Sequence, residues 1–280
     1  MSIKIQVEDA IFLKEHERYL GALTNLMLAV AASSRKTFPR GTKSLKEPKR
    51  NMRDNEAFKL FLGGRIRNIL GGHFSGPETG SSGKYIEFKG EYYEIEHILY
   101  EFYRCNLVHE GELPEGIEFV PPEEIEFVPP RVAQEFENYV SIKGGHTLTL
   151  DFNWIDLLVQ SVVYAKCNGE TFNIKHYEMR PKNNDTPSTE KRLALKHNTS
   201  EGRIEILKHA VMNIEPEVVT SSSNSVLTID FQQLLHAKII DGGMLAALSS
   251  HGLSDNYGKL SSKGIDVCRE IAESYYRVEV

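Results

Sequence analysis

Tyr93-Glu94-Ile95-Glu96-His97-Ile98-Leu99-Tyr100-Glu101-Phe102-Tyr103-Arg104-Cys105-Asn106-Leu107-Val108-His109-Glu110-Gly111 is the stretch on which the reading of the fold turns. Ile95, Ile98, Leu99 and Phe102 recur at i, i+3, i+4 and i+7, the spacing of an amphipathic helix. Gly111, Pro114 and Gly116 stop it, since glycine accepts left-handed cap geometry and proline cannot extend the hydrogen-bond ladder. Near its end the helix carries Glu101, Arg104, Asn106 and His109, the densest group of chemistry-capable side chains in the chain.

Upstream, residues 10–32 read as a long first helix with an apolar stripe that includes Leu20, Leu23, Leu26 and Val30. A second helix spans residues 57–70, with Asp54 as its N-cap and Gly71-Gly72 at its end. Between them lies a basic stretch, residues 35–53. Arg35, Lys36, Arg40, Lys43, Lys46, Lys49, Arg50 and Arg53 stand against Glu47 alone. Pro39, Gly41 and Pro48 make it a loop or an extended arm. It reads either as a phosphate-contacting segment or as a solvated loop.

Downstream of Gly111 the chain turns acidic. Ile117-Glu118-Phe119-Val120-Pro121-Pro122 recurs as Ile125-Glu126-Phe127-Val128-Pro129-Pro130, a local duplication that predicts two short edge strands. Residues 147–150 predict another strand, and residues 154–167 a helix begun by Asp151. The polar, proline-punctuated segment 180–200 is expected to be a linker, giving an N-terminal domain over 1–179 and a C-terminal one over 201–280. The last 80 residues predict helices near 203–214, 231–240 and 244–250, a turn at Asp255-Asn256-Tyr257-Gly258, and a closing helix from Lys263. That order resembles a winged helix. Its seven basic and eleven acidic residues favour a protein partner over DNA.

The whole chain has 280 residues and a net charge of -6, with 40% hydrophobic and 26% charged residues, the proportions of a soluble globular protein. No apolar run approaches the roughly 20 residues that span a bilayer, and the N-terminus lacks a secretory layout, so a cytoplasmic protein with no membrane partner is expected. Three separated cysteines and scattered histidines form neither a disulfide framework nor a zinc spacing, so no metal and no cofactor is expected.

Arg104, four intervening residues and His109 resemble the motif of the HEPN family (higher eukaryotes and prokaryotes nucleotide-binding), an Arg and a His four to six residues apart near a helix end. Members often place a polar residue directly after the Arg. Here Cys105 fills that place and Asn106 follows. The resemblance covers residues 10 to about 170. It implies a HEPN-like helical bundle with a small β insertion; with the separately read winged-helix-like α+β module after it, the expected fold is mainly α. It also implies a homodimer and metal-independent endoribonuclease activity in a stress, defence or toxin–antitoxin setting. In such cleavage His109 would act as the acid–base group, Arg104 would stabilise charge on the phosphate, Asn106 would orient His109 or contact a base or phosphate, and Glu101 would steer Arg104. Arg35, Lys36, Arg40, Lys43, Lys49, Arg50 and Arg53 would contact the RNA.

A second reading stands beside it. On an ideal α-helix Arg104 and His109 lie about 140° apart. His109 is then a helix-end residue favoured by the macrodipole, Arg104 pairs with Glu101, and the protein is a non-catalytic binding module for protein or nucleic acid.

Overall fold

The computed structural model describes residues 2–71, 78–122, 140–237, 239–240 and 242–280. It is mainly helical with small sheets, and it divides into two compact units, Met1–Ile174 and Lys175–Val280.

The first unit begins with α1 (Ile3–Glu15) and α2 (Tyr19–Thr37). The single helix predicted over residues 10–32 is broken at its start, because Glu17 adopts a positive φ of 58° and turns the chain between them. α3 (Asp54–Gly71) follows, then β1 (Tyr85–Phe88) and β2 (Glu91–Glu94), an antiparallel hairpin turned by Lys89 and Gly90, both at positive φ as this tight turn demands.

The central helix comes next as α4 (Ile95–Ile98), a π-helical segment (Leu99–Arg104) and α5 (Cys105–His109). Ile95, Leu99, Tyr103 and Leu107 are all buried, in steps of four residues. On a regular α-helix such steps drift by about 40° each, which would carry Leu107 off the core face. The π turn, in which the Cys105 N–H donates to the Tyr100 carbonyl, widens the helix and offsets that drift.

β3 (Ile117–Val120), β4 (Ile142–Lys143) and β5 (Leu148–Asp151) form a three-stranded sheet in the order β3-β5-β4, with β3 parallel and β4 antiparallel to β5. The first copy of the duplicated hexapeptide supplies β3, at the sheet edge. The second copy lies outside the described residues. The Tyr103 hydroxyl donates to the carbonyls of Glu118 at 2.8 Å and Leu148 at 3.3 Å, tying the central helix to β3 and β5. α6 (Trp154–Val163) is buried through Trp154, Ile155, Leu158 and Val162, and a 3-10 turn (Lys166–Asn168) and α7 (Gly169–Phe172) finish the unit.

Residues 78–82 cross α3 at close range. A Cβ at Gly64 would stand 2.3 Å from the Glu78 carbonyl oxygen, and one at Gly63 2.4 Å from that of Gly80. The paired glycines thus make room for a strap. Arg65, only 7% exposed, anchors it by an ion pair to Glu78 at 2.9 Å, and buried Glu96 accepts from the Ser82 N–H at 2.8 Å. The strap fixes α3 beside α4.

The second unit begins before the segment expected to be a linker and takes it in. β6 (Tyr177–Pro181) runs into 180–200, α8 (Thr186–Lys196) lies within it, and α9 (Glu201–Ile214) follows at once, so the boundary moves from 179 to 174. The polar composition misleads because Pro187 sits in the first turn of α8, where its missing N–H costs nothing, and only Thr189, Leu193 and Ala194 face inward. α10 (Pro216–Ser221), α11 (Asn224–His236), α12 (Gly242–Ser249) and α13 (Ser262–Ser274) enclose a core that includes Leu207, Phe231, Leu248 and Ile271. β7 (Tyr275–Glu279) closes the chain against β6, antiparallel. The expected turn at 255–258 is present. It is closed by a single bridge between Ser254 and Leu260 and carries Tyr257 at its tip, 85% exposed.

Candidate functional site

The central helix presents its chemistry in two places. At its end, His109 is exposed. Asn106 does not orient it. Its side-chain amide turns back and donates to the carbonyls of Phe102 at 2.8 Å and Glu101 at 3.3 Å. Asn106 is therefore a helix-stabilising group in this fold. Glu101 does not steer Arg104 either, because its carboxylate faces Lys59 of α3 at 3.9 Å. Arg104 instead lies over the ring of Tyr100, with Cζ 5.1 Å from the centroid, and its buried Nε has no hydrogen-bond partner.

One turn to two turns earlier stands a group that single-residue reading passed over. Lys59 Nζ lies 3.2 Å from Nδ1 of His97 and 5.9 Å from the Tyr100 centroid. The His97 ring stacks on Tyr93 at 5.2 Å, with 11° between the planes. Burial, and then the charge of Lys59, hold the His97 imidazole below its ordinary pKa. Glu101 and Glu94 oppose that shift, and Lys46 adds to it. An ammonium only donates, so Nδ1 of neutral His97 accepts and the ring proton sits on Nε2. His97 precedes Arg104 by seven residues, a helical spacing that could have marked it in the sequence. Lys59 carries no such signal, because the strap-held approach of α3 brings it in.

The basic stretch is an ordered structure and not an extended arm. Arg35 and Lys36 belong to the last turn of α2, where positive charge meets the negative end of the helix dipole. Arg35 is paired with Asp54, and Lys36 donates to Thr171 Oγ1 at 3.1 Å. Residues 42–52 fold back on themselves through hydrogen bonds from Met52 N to Thr42 O at 2.7 Å and from Ser44 N to Arg50 O at 3.0 Å. Glu56, in the first turn of α3, accepts from Leu45 N at 2.8 Å and Ser44 Oγ at 3.0 Å and so pins this loop to the helix. Arg50 pairs with Glu47 at 3.0 Å and Lys43 with Asn51 at 3.1 Å, while Arg40, Lys46, Lys49 and Arg53 are exposed on its surface. The effect of Lys46 on His97 shows that the loop and the central helix share one electrostatic neighbourhood.

In the second unit one carboxylate gathers three side-chain donors. Glu270 receives Arg192 at 2.8 Å and Lys196 and His197 each at 2.7 Å. Burial alone would raise its carboxyl, but these hydrogen bonds hold it down to about 2. Among the described residues no group of three or more His, Cys, Asp and Glu side chains is placed to hold a metal ion, and no helix is long and apolar enough to cross a membrane.

Comparison with known proteins gives one match, to the family model described as Rv1289, over residues 2–235. The chain belongs to the Rv1289 family. No curated protein and no solved structure matches it.

Proposed function

For this member of the Rv1289 family we propose metal-independent RNA cleavage of the HEPN type, carried by Arg104 and His109 and working in a cytoplasmic homodimer. The observation that carries the reading is the state of Arg104: its Cζ over the Tyr100 ring at 5.1 Å from the centroid, its buried Nε unpaired, on the helix that also exposes His109. A guanidinium over an aromatic ring is positioned without being neutralised, and its planar fork matches phosphate oxygens. An exposed imidazole at a helix end is placed to move the ribose 2′-hydroxyl proton. The attacking 2′-oxygen displaces the 5′-oxygen of the next nucleotide, leaving a 2′,3′-cyclic phosphate and a 5′-hydroxyl. The exposed cations Arg40, Lys49 and Arg53, with Lys43 and Arg50, supply salt-dependent affinity for the RNA backbone. The second unit, read as a winged-helix-like module with Tyr257 at its turn, supplies a protein-binding surface.

The commitment of Asn106 to its own helix favours a second reading, in which the same helix binds RNA without cutting it. Cleavage of mixed cellular RNA in EDTA separates the two. Wild type cuts, and His109→Ala and Arg104→Ala do not while remaining folded; RNA retained but left intact by the wild type selects the binding module.

A further inference from the structure

Outside the Arg104–His109 motif, Lys59 meets both the Tyr100 ring and the His97–Tyr93 stack. Lys59 stands between them, 3.2 Å from His97 Nδ1, 5.9 Å from the Tyr100 centroid and 3.9 Å from Glu101. Arg104 occupies the same ring at 5.1 Å. This is not an efficient way to stabilise the fold. Lys59 has one carboxylate at the limit of ion-pair distance, and it stands beside an imidazole whose pKa burial, and then the charge of Lys59, lower. Two further donors remain for a ligand, the rest of the Lys59 ammonium and the Nε2–H of His97. Lys46 of the ordered loop adds positive potential, while Glu94 and Glu101 are the carboxylates that face His97 and reduce it.

We propose that Lys59 and His97, beside the Tyr100 ring that Lys59 shares with Arg104, form a second phosphate-binding site that holds the RNA backbone at a distance from the cut. His97 lies seven residues before Arg104, and twelve before His109, roughly 18 Å along a helix axis, so one phosphate cannot engage both imidazoles of a protomer. The backbone would run from the basic loop past Lys46, through Lys59 and His97, to Arg104. This site rests on the RNA reading of the central helix but not on cleavage. It differs from the motif in kind: it binds in the neutral ground state, and a phosphate arriving there favours the protonated imidazole.

The test uses the full chain, 15N-labelled at histidine, and a short single-stranded RNA with 2′-O-methyl groups, which cannot be cut by attack of the 2′-oxygen. His97 is assigned from the resonance lost in His97→Gln. Bound RNA is expected to move the His97 titration midpoint upward. Lys59→Met is expected to weaken binding about three- to tenfold and to lower the salt slope by roughly one phosphate contact. Glu101→Gln, which removes the opposing carboxylate, is expected to tighten it. An RNA that binds while the His97 midpoint stays fixed, or that binds Lys59→Met with wild-type affinity, overturns the proposal. If the wild type cuts ordinary RNA under those same conditions, the cleavage reading survives and only this site falls. Failure of the probe to bind at all removes the site together with the RNA reading.

Discussion

Lys59 Nζ of α3 lies 3.2 Å from Nδ1 of His97 on the central helix. The two residues are 38 positions apart in sequence, and the strap over Gly63 and Gly64 is what brings their helices together.

A pH dependence follows from the His97 shift. The folded state depresses the imidazole through burial and Lys59, so below the ordinary histidine value of about 6.5 the unfolded chain binds more protons than the folded one. Stability of the first unit is therefore expected to fall as the pH drops below that value, and to be fully present above it. Denaturant unfolding followed by the emission of Trp154, the only tryptophan, measures this. His97→Gln is expected to shrink the slope between pH 7 and 5.

Gly64→Ala tests the strap. Alanine is the better helix former by about 1 kcal/mol, so an unconstrained glycine would be stabilised by the change. Here the new Cβ meets the Glu78 carbonyl at 2.3 Å, and overpacking of that kind costs about 1–3 kcal/mol. Net destabilisation in the Trp154 unfolding assay is expected; a gain in stability would show that the strap does not lie there.

Asn106→Ala separates the helix from the chemistry. Losing the hydrogen bonds to the Phe102 and Glu101 carbonyls is expected to cost about 1 kcal/mol of stability while leaving RNA affinity unchanged. A variant of full stability but altered RNA handling would return Asn106 to the site.

In the second unit, Glu270→Gln is expected to cost about 1–2 kcal/mol, since Arg192, Lys196 and the His197 ring lose a charged acceptor in a partly exposed setting. The carboxyl is held down to about 2, so its contribution is present above the unfolded value near 4.5 and is lost as the pH falls from there toward 2. Hydrogen exchange of amides in α8 and α13 checks both, with the acid-induced loss of protection smaller in the variant.

The mainly helical class was legible because apolar residues repeat along the helices, and Ile95, Ile98 and Leu99 are indeed core. Tyr103 was not legible as core, since its burial depends on acceptors from Glu118 and Leu148 that only the sheet supplies. The four-residue steps that require the π turn stayed hidden for the same reason. α8 passed for a linker because its buried face is only three residues wide. Of the candidate site, Arg104 and His109 could be picked out by spacing. The carboxylate facing Lys59 and the inward turn of Asn106 could not, because each depends on a partner or a helix geometry that spacing does not carry.

The most direct measurement is the chemistry of the RNA ends. The wild-type protein, incubated with RNA in EDTA, is expected to leave 2′,3′-cyclic phosphate and 5′-hydroxyl termini by mass spectrometry, and Arg104→Ala none. Intact RNA, 3′-hydroxyl ends, or the same products from Arg104→Ala would contradict cleavage through this helix.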